Sequence, residues 1–228
     1  MIGIAALCVA LFGLQAEPGK YLADLTKLMR TDWPNNRTVN IVCHGHSVPA
    51  GYFQTPTVNT FGAYPHLLHR RLAKRFPHAV INVIVTAIGG ENSEQGAKRF
   101  ESDVLALHPD LVTIDYSLND RGIGLLRARN AWVQMIQAAA TSKVKLILLT
   151  PTPDQSAKLD NPSDPLNLQA EQVRGLAREY VVGLVDSLDA FKRKIRGGAA
   201  LASLMAQSNH PNQAGHEIVA QALDSWFP

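Results

Sequence analysis

Short apolar blocks recur along the chain, and each ends at a polar or glycine-rich turn. The blocks are rich in β-branched residues, which is typical of buried strands. We predict strands at residues 38–43, 79–86, 111–116, 144–149 and 181–185. Because apolar runs of this kind are buried on both faces, the pattern favours a parallel sheet.

Between the predicted strands, apolar residues recur every three or four positions, which is the period of an amphipathic helix. In residues 63–76, for example, Leu67, Leu68 and Leu72 share one side. We predict helices at residues 63–76, 93–107, 125–141 and 166–180, a short helix within residues 20–37, and a last helix that ends at Trp226. Alternating strands and helices predict an α/β fold with helices on both faces of the sheet.

The composition fits one domain of that kind. The chain has 228 residues, of which 46% are hydrophobic and 18% charged, and its formal net charge is +3. A chain of this length can bury an adequate core. Lysine and arginine are scattered among acidic residues, so the charge pattern indicates no nucleic-acid partner. We expect a single domain at residues 17–228.

The N-terminus resembles a secretory signal. Residues 2–14 are apolar, and the small residue Ala16 follows shortly after. Because such a run is too short to span a membrane comfortably, we expect a signal peptide at residues 1–16, a secreted or periplasmic protein, and no stable membrane insertion after cleavage. The alternative is a buried N-terminal helix in a cytoplasmic protein. Cys8 would leave with the signal, so Cys43 alone cannot form a disulfide framework.

The turns after the first three predicted strands carry the candidate chemistry. In parallel α/β sheets, ligands bind beyond the carboxyl ends of the strands. Ser47, Gly90 and Asn119 follow the first, second and third strands, and His210 precedes the last helix. A serine nucleophile needs a base, and a tetrahedral oxyanion needs preorganised donors. The alternative is that Asn119 and His210 only begin helices or lie on the surface.

Four blocks in order resemble the motifs of the SGNH hydrolases, also called GDSL-like esterases and lipases. The blocks are Gly45-His46-Ser47, residues 88–93, residues 117–120 and His210-Pro211-Asn212. The resemblance implies a three-layer α/β/α, flavodoxin-like fold with a parallel five-stranded sheet. It also implies a cofactor-free ester hydrolase with the catalytic residues Ser47 and His210 and an oxyanion hole formed by Ser47, Gly90 and Asn119.

The chain departs from the family pattern at three positions. His46 replaces the usual Asp, Ser117 replaces the usual Gly, and Gln207 stands where the family usually has the triad acid. A neutral amide oxygen of Gln207 would fix the tautomer of His210 but would stabilise an imidazolium less than a carboxylate does. We therefore expect a Ser–His dyad or an atypical triad.

Other side chains near the predicted cleft are candidates for supporting roles. Glu91, Asp120 or a backbone carbonyl is an alternative group for orienting the base. Arg121 is a candidate for binding an anionic substrate, although a structural ion pair is its commoner use. His46 is a candidate substrate contact. The histidines lack the spacing of a metal site, so we expect no metal and no cofactor.

These features together predict a serine esterase that cleaves a short-chain, acetyl-type ester on a small molecule or a carbohydrate. The polar loop at residues 152–165 lacks the broad apolar lining that long acyl chains need. One alternative is a glycan-binding protein of the same fold that lost catalysis with its acid. A nucleotide-binding domain is disfavoured because no Gly-x-Gly-x-x-Gly turn follows the first strand.

Overall fold

The computed structural model describes residues 15–228. The signal peptide predicted at residues 1–16 therefore lies outside the described residues except for its last two positions. Within the described chain, no helix is long and apolar enough to cross a membrane.

The central sheet has five parallel strands. They are β1 (Val39–Gly45), β2 (Ile81–Val85), β3 (Leu111–Asp115), β4 (Lys145–Leu149) and β5 (Gly183–Val185). The strand order is β2-β1-β3-β4-β5, so the flavodoxin-like fold is confirmed. Gly45 pairs with Asp115 and Cys43 pairs with Val85. Because these strands end side by side, the turns that follow them meet at one edge of the sheet.

Helices cover both faces of the sheet. They are α1 (Ala23–Met29), α2 (Ser47–Ala50), α3 (Tyr64–Arg75), α4 (Ser93–Lys98), α5 (Phe100–Asp103), α6 (Leu125–Thr141), α7 (Pro165–Tyr180), α8 (Ser187–Arg196) and α9 (Gln213–Asp224). On α6, Ala128, Trp132 and Met135 recur at helical spacing and pack with the β3 residues Val112 and Ile114. The opposite face packs α3, α8 and α9 against the sheet. Each large apolar side chain buried in this way contributes about 2 kcal/mol.

The structure changes three details of the predicted elements. The single helix expected at residues 93–107 is divided into α4, α5 and a 3-10 turn at Leu105–Leu107, with the break at Arg99. Val181 has a left-handed backbone that ends α7, so β5 begins two residues later than predicted. A small antiparallel ribbon, β6 (Met205–Gln207) and β7 (His210–Pro211), was not predicted because its strands are too short to show a pattern.

Candidate active site

A tight turn at the end of β1 places Ser47 at the first residue of α2. Gly45 is needed there, since a Cβ would lie 2.5 Å from the carbonyl oxygen of Asp115. His46 caps α2, because its Nδ1 accepts the backbone N–H of Val48 at 3.3 Å. The helix ends at Gly51, whose φ of 91° lies in the left-handed region that glycine tolerates. The turn therefore presents the Ser47 hydroxyl at the carboxyl edge of the sheet.

The structure brings His210 to Ser47. His210 is carried on β7, and its Nε2 lies 2.9 Å from Ser47 Oγ. Its Nδ1 lies 3.0 Å from the carbonyl oxygen of Phe53. Burial lowers the pKa of His210, and the hydrogen bond with Phe53 raises it in part. The ring is therefore neutral at neutral pH, and with its proton on Nδ1 it presents a lone pair to the serine.

Gln207 faces His210 with its amide nitrogen rather than its oxygen. Gln207 Nε2 lies 2.8 Å from His210 Nδ1. Its Oε1 accepts from the backbone N–H and the hydroxyl of Thr55, at 3.0 and 3.2 Å. Turning the amide over would set its nitrogen against the Thr55 N–H, so the oxygen stays on Thr55. The expectation that the Gln207 oxygen orients His210 therefore does not hold, and the available acceptor is the Phe53 carbonyl.

Gln207 and Phe53 favour different tautomers of His210. The Phe53 carbonyl accepts only if Nδ1 carries the proton, which is the tautomer that serves a base. The Gln207 amide nitrogen donates only if Nδ1 is unprotonated, which moves the proton to the nitrogen facing Ser47. One of the two contacts is thus unfavourable in either state.

Glu91 and Asp120, the other candidates for orienting His210, are engaged elsewhere. Glu91 accepts from Arg99 Nε at 2.9 Å and from the Tyr116 hydroxyl at 3.3 Å. Asp120 is buried, which raises its pKa. Its Oδ1 accepts from the Ser93 N–H at 2.8 Å and its Oδ2 accepts from Trp132 Nε1 at 2.7 Å. Both carboxyl groups brace neighbouring turns, and neither contacts the base.

The three predicted oxyanion donors lie on adjacent turns. Ile88 donates its N–H to Gly45 at 3.0 Å, which lays the Gly90 turn beside the nucleophile turn. Asn119 Nδ2 donates to the Glu91 carbonyl at 2.8 Å and keeps a second N–H. Within residues 15–228, no protein group accepts the backbone N–H of Ser47 or Gly90. These N–H groups are therefore free to bind an oxyanion.

The structure does not bear out His46 as a substrate contact. Its side chain is 1% exposed and points into the protein, where Nε2 lies 3.5 Å from Asp115 Oδ1. His46 therefore lies beneath the nucleophile. The sequence motifs did not indicate Asp115, although an acidic residue inside an apolar strand is a sign of a buried partner.

Arg121 is held mainly by protein groups. Its Nε donates to the Leu118 carbonyl and its terminal nitrogen to Asp154 Oδ2, both at 2.8 Å. Because Asp154 balances its charge, the candidate contact with an anionic substrate is disfavoured, and the structural ion pair is the role observed. Arg121 nevertheless lines an open cleft of about 480 Å³ together with Asn119. The other lining residues are Leu118, Gly122, Ser156, Ala157, Asp164 and Pro165.

Two further histidines are buried on either side of the site. His44 contacts the Tyr116 hydroxyl, and His216 stacks on the Phe53 ring with centroids 5.1 Å apart. Burial lowers the pKa of His44 to about 4 and that of His216 to about 3. Both rings are therefore neutral structural residues.

Comparison with known proteins identifies the class. A model of the GDSL-like lipase/acylhydrolase family matches residues 43–218. The chain belongs to this family, and it is a carboxylic ester hydrolase. This confirms the resemblance inferred from the four sequence blocks.

Individual relatives support the same fold. An acetylxylan esterase from Geobacillus stearothermophilus is 27% identical over 164 residues, which are 65% of this chain and 73% of that protein. A two-domain esterase active on acetylated mannans superposes with a TM-score of 0.77 at 21% identity. That match covers 93% of this chain but only 53% of the two-domain esterase. A variant of an acetyl xylan esterase from Geobacillus stearothermophilus gives a TM-score of 0.72 at 22% identity, covering 83% of this chain and 94% of the other.

Proposed function

We propose that the protein is a serine esterase that removes acetyl groups from a carbohydrate. The observation that carries the proposal is the 2.9 Å contact between Ser47 Oγ and His210 Nε2. In the first step His210 accepts the serine proton while Oγ attacks the ester carbonyl. The oxyanion is bound by the N–H groups of Ser47 and Gly90 and by Asn119 Nδ2. The alcohol then leaves, and water activated by His210 releases acetate.

The cleft beside Asn119 supports a carbohydrate as the alcohol portion. A pocket of about 480 Å³ has room for a sugar ring. Its lining offers Arg121 and Ser156 as polar groups and Pro165 as an exposed apolar surface. Because Asp154 balances Arg121, the cleft suits a neutral sugar better than an acidic one. Relatives named as acetylxylan esterase and as an esterase active on acetylated mannans point to the same substrate class.

The deciding experiment compares the wild-type protein with Ser47→Ala on acetylated xylan and mannan oligosaccharides and on an aryl acetate. Acetate release and labelling by a fluorophosphonate should both disappear in the variant, while its thermal unfolding is unchanged. Turnover by Ser47→Ala at the wild-type rate would refute the mechanism. Binding of the oligosaccharide by the wild-type protein without release of acetate would favour the glycan-binding alternative.

Export of the protein is a separate part of the proposal. It is supported by the apolar run at residues 2–14 and by the small residue Ala16 that follows. N-terminal sequencing of protein recovered outside the cytoplasm should find Glu17 as the first residue. Protein that stays in the cytoplasm and retains Met1 would refute this part without affecting the esterase mechanism.

A further inference from the structure

Ser47 has a second imidazole neighbour besides the base. Its Oγ lies 2.9 Å from His210 Nε2 and 3.4 Å from His46 Nδ1. A serine hydroxyl has one proton, so it donates to only one of these nitrogens at a time. The nucleophile therefore lies between two potential proton acceptors, His210 on β7 and His46 beneath it.

The far side of the His46 ring faces a carboxylate. His46 Nε2 lies 3.5 Å from Asp115 Oδ1, and the two side chains are 1% and 2% exposed. Because His46 Nδ1 accepts the N–H of Val48, the ring proton resides on Nε2, the nitrogen on the side of Asp115. Across residues 15–228, neither Nε2 nor Oδ1 makes a hydrogen bond, to each other or to another group. At 3.5 Å the two atoms face each other and form an ion pair once the ring is protonated.

Asp115 is itself fixed in place. Its Oδ2 accepts the Tyr64 hydroxyl at 3.3 Å. The titratable groups around the pair are Tyr64 on α3, Cys43 on β1, Asp120 on the turn after β3 and His210 on β7. Burial raises the pKa of Tyr64 well above its usual value and that of Cys43 to about 12, so both stay protonated. Asp115 is the carboxyl group that faces the His46 ring directly.

We propose that His46 and Asp115 form a second general-base couple for Ser47. This inference rests on the proposed function. The serine proton passes to His46 Nδ1 as the bond from Oγ to the acyl carbon forms, and Asp115 stabilises the resulting imidazolium. The proton then returns to the departing alkoxide, directly or through water, as the acyl carbon–oxygen bond breaks. This couple contains the carboxylate that position 207 lacks.

The geometry makes His46 secondary to His210. The distance from Ser47 Oγ is 3.4 Å to His46 Nδ1 and 2.9 Å to His210 Nε2, so the His46 contact is the weaker one. Protonation of Nδ1 also costs the hydrogen bond from Val48. His46 should therefore carry the reaction visibly only when His210 is absent.

The test measures acetate release and fluorophosphonate labelling in a His210→Ala background. General-base catalysis contributes about 10²–10⁴-fold, so His210→Ala should be slow by that order. We expect its residual rate to stay at least about tenfold above that of Ser47→Ala, as a weaker base would give. Adding Asp115→Asn should bring it down to the Ser47→Ala rate. The matched control adds Asp110→Asn, which removes a carboxylate next to β3 that pairs with Arg37 on the surface, and it should leave the residual rate unchanged.

A second variant guards against misfolding of Asp115→Asn. His46→Asn keeps a side-chain oxygen that can accept the Val48 N–H but removes the base. Combined with His210→Ala, it should abolish the residual rate and the acidic limb of its pH profile. If the His210→Ala rate equals that of Ser47→Ala, or if folded His46→Asn leaves it unchanged, the second couple is refuted. That result leaves the proposed function intact, whereas only turnover by Ser47→Ala refutes both.

Discussion

The Gly90 turn and His210 face the same serine, but the protein holds them by different means. Glu91, Arg99 and Tyr116, here called the Glu91 clamp, fix the Gly90 turn through an ion pair that is about 14% exposed. Arg99 also donates to the Thr86 carbonyl at 2.7 Å.

On the other side, His210 relies on the neutral contacts with Phe53 and Gln207, which favour opposite tautomers. The Glu91 clamp makes all of its contacts in one arrangement. The two contacts of His210, in contrast, favour two different tautomers. The oxyanion donors are therefore preorganised, and the base is the adjustable part of the site.

Among changes that leave Ser47 and His210 in place, the largest effect should come from removing an oxyanion donor. Asn119→Ala deletes the Nδ2 group and its hydrogen bond to the Glu91 carbonyl. Loss of one such donor typically lowers kcat about 10²–10³-fold, and we expect this range with KM little changed. Steady-state kinetics on an aryl acetate measures it. Asn130→Ala, on the exposed surface of α6, is the control, and equal rates for the two variants would contradict an oxyanion role for Asn119.

Breaking the Glu91 clamp should cost both stability and rate. Glu91→Gln leaves the largely buried Arg99 guanidinium with only its longer, 3.4 Å contact to the Asp103 carboxylate, which costs about 3 kcal/mol of unfolding free energy. We also expect kcat to fall because the Gly90 turn loosens. Urea unfolding and kcat measure the two effects. Glu94→Gln, which breaks the exposed pair with Arg127, should do little. An unchanged stability with a displaced acidic limb of the pH profile would instead mean that Glu91 acts on His210.

Resolving the conflict at Nδ1 should raise the rate. Gln207→Glu has the same shape, so one oxygen keeps the Thr55 contacts while the other accepts the Nδ1 proton of His210. A charge-assisted bond exceeds a neutral one by about 1.4 kcal/mol, which predicts a kcat about tenfold higher. The acidic limb of the pH profile should move to higher pH. Gln207→Ala is the control and should stay near the wild-type rate; a Gln207→Glu variant slower than this control would refute the account.

A last effect, on stability and not on rate, concerns the histidine buried behind each side, His44 near the Glu91 clamp and His216 behind Phe53. Their folded pKa values, about 4 and about 3, lie below the unfolded value near 6.5. The unfolded chain therefore binds more protons as the pH falls below 6.5, and stability is lost in that direction. Each ring should cost about 1.4 kcal/mol per pH unit down to its folded pKa. Urea unfolding at pH 7, 6 and 5 measures the slope, and His216→Asn should reduce it; an unchanged slope would contradict the assignment.

Much of the fold was predictable because its strands and helices are long enough to show a period. The five strands, α3 and α6 lie close to the predicted residues. The break at Arg99 was not predictable, because the arginine turns toward Glu91, a tertiary contact that local periodicity does not contain. The ribbon of β6 and β7 was missed for a similar reason, since these short strands form by hydrogen bonding to each other and have no hydrophobic pattern of their own.

The residues of the candidate site that belong to sequence motifs were predictable. Ser47, Gly90, Asn119 and His210 stand at turns that the parallel sheet brings together. The group that accepts from Nδ1 of His210 was not predictable, because the position of a backbone carbonyl such as that of Phe53 is not encoded in a local motif. The orientation of the Gln207 amide was also hidden, since Thr55 decides it from a different loop.

Ser47 and His210 are 163 positions apart along the chain, and this distance has a consequence for biosynthesis. The nucleophile and the oxyanion turns are synthesised well before the residue that activates the serine. Contacts of such long sequence separation close late and slowly in folding. A nascent or truncated chain that lacks His210 therefore has a serine without its principal base, and it also lacks α9 with its share of the core. Hydrolytic activity should consequently serve as a reporter of completed folding and not of the presence of the polypeptide.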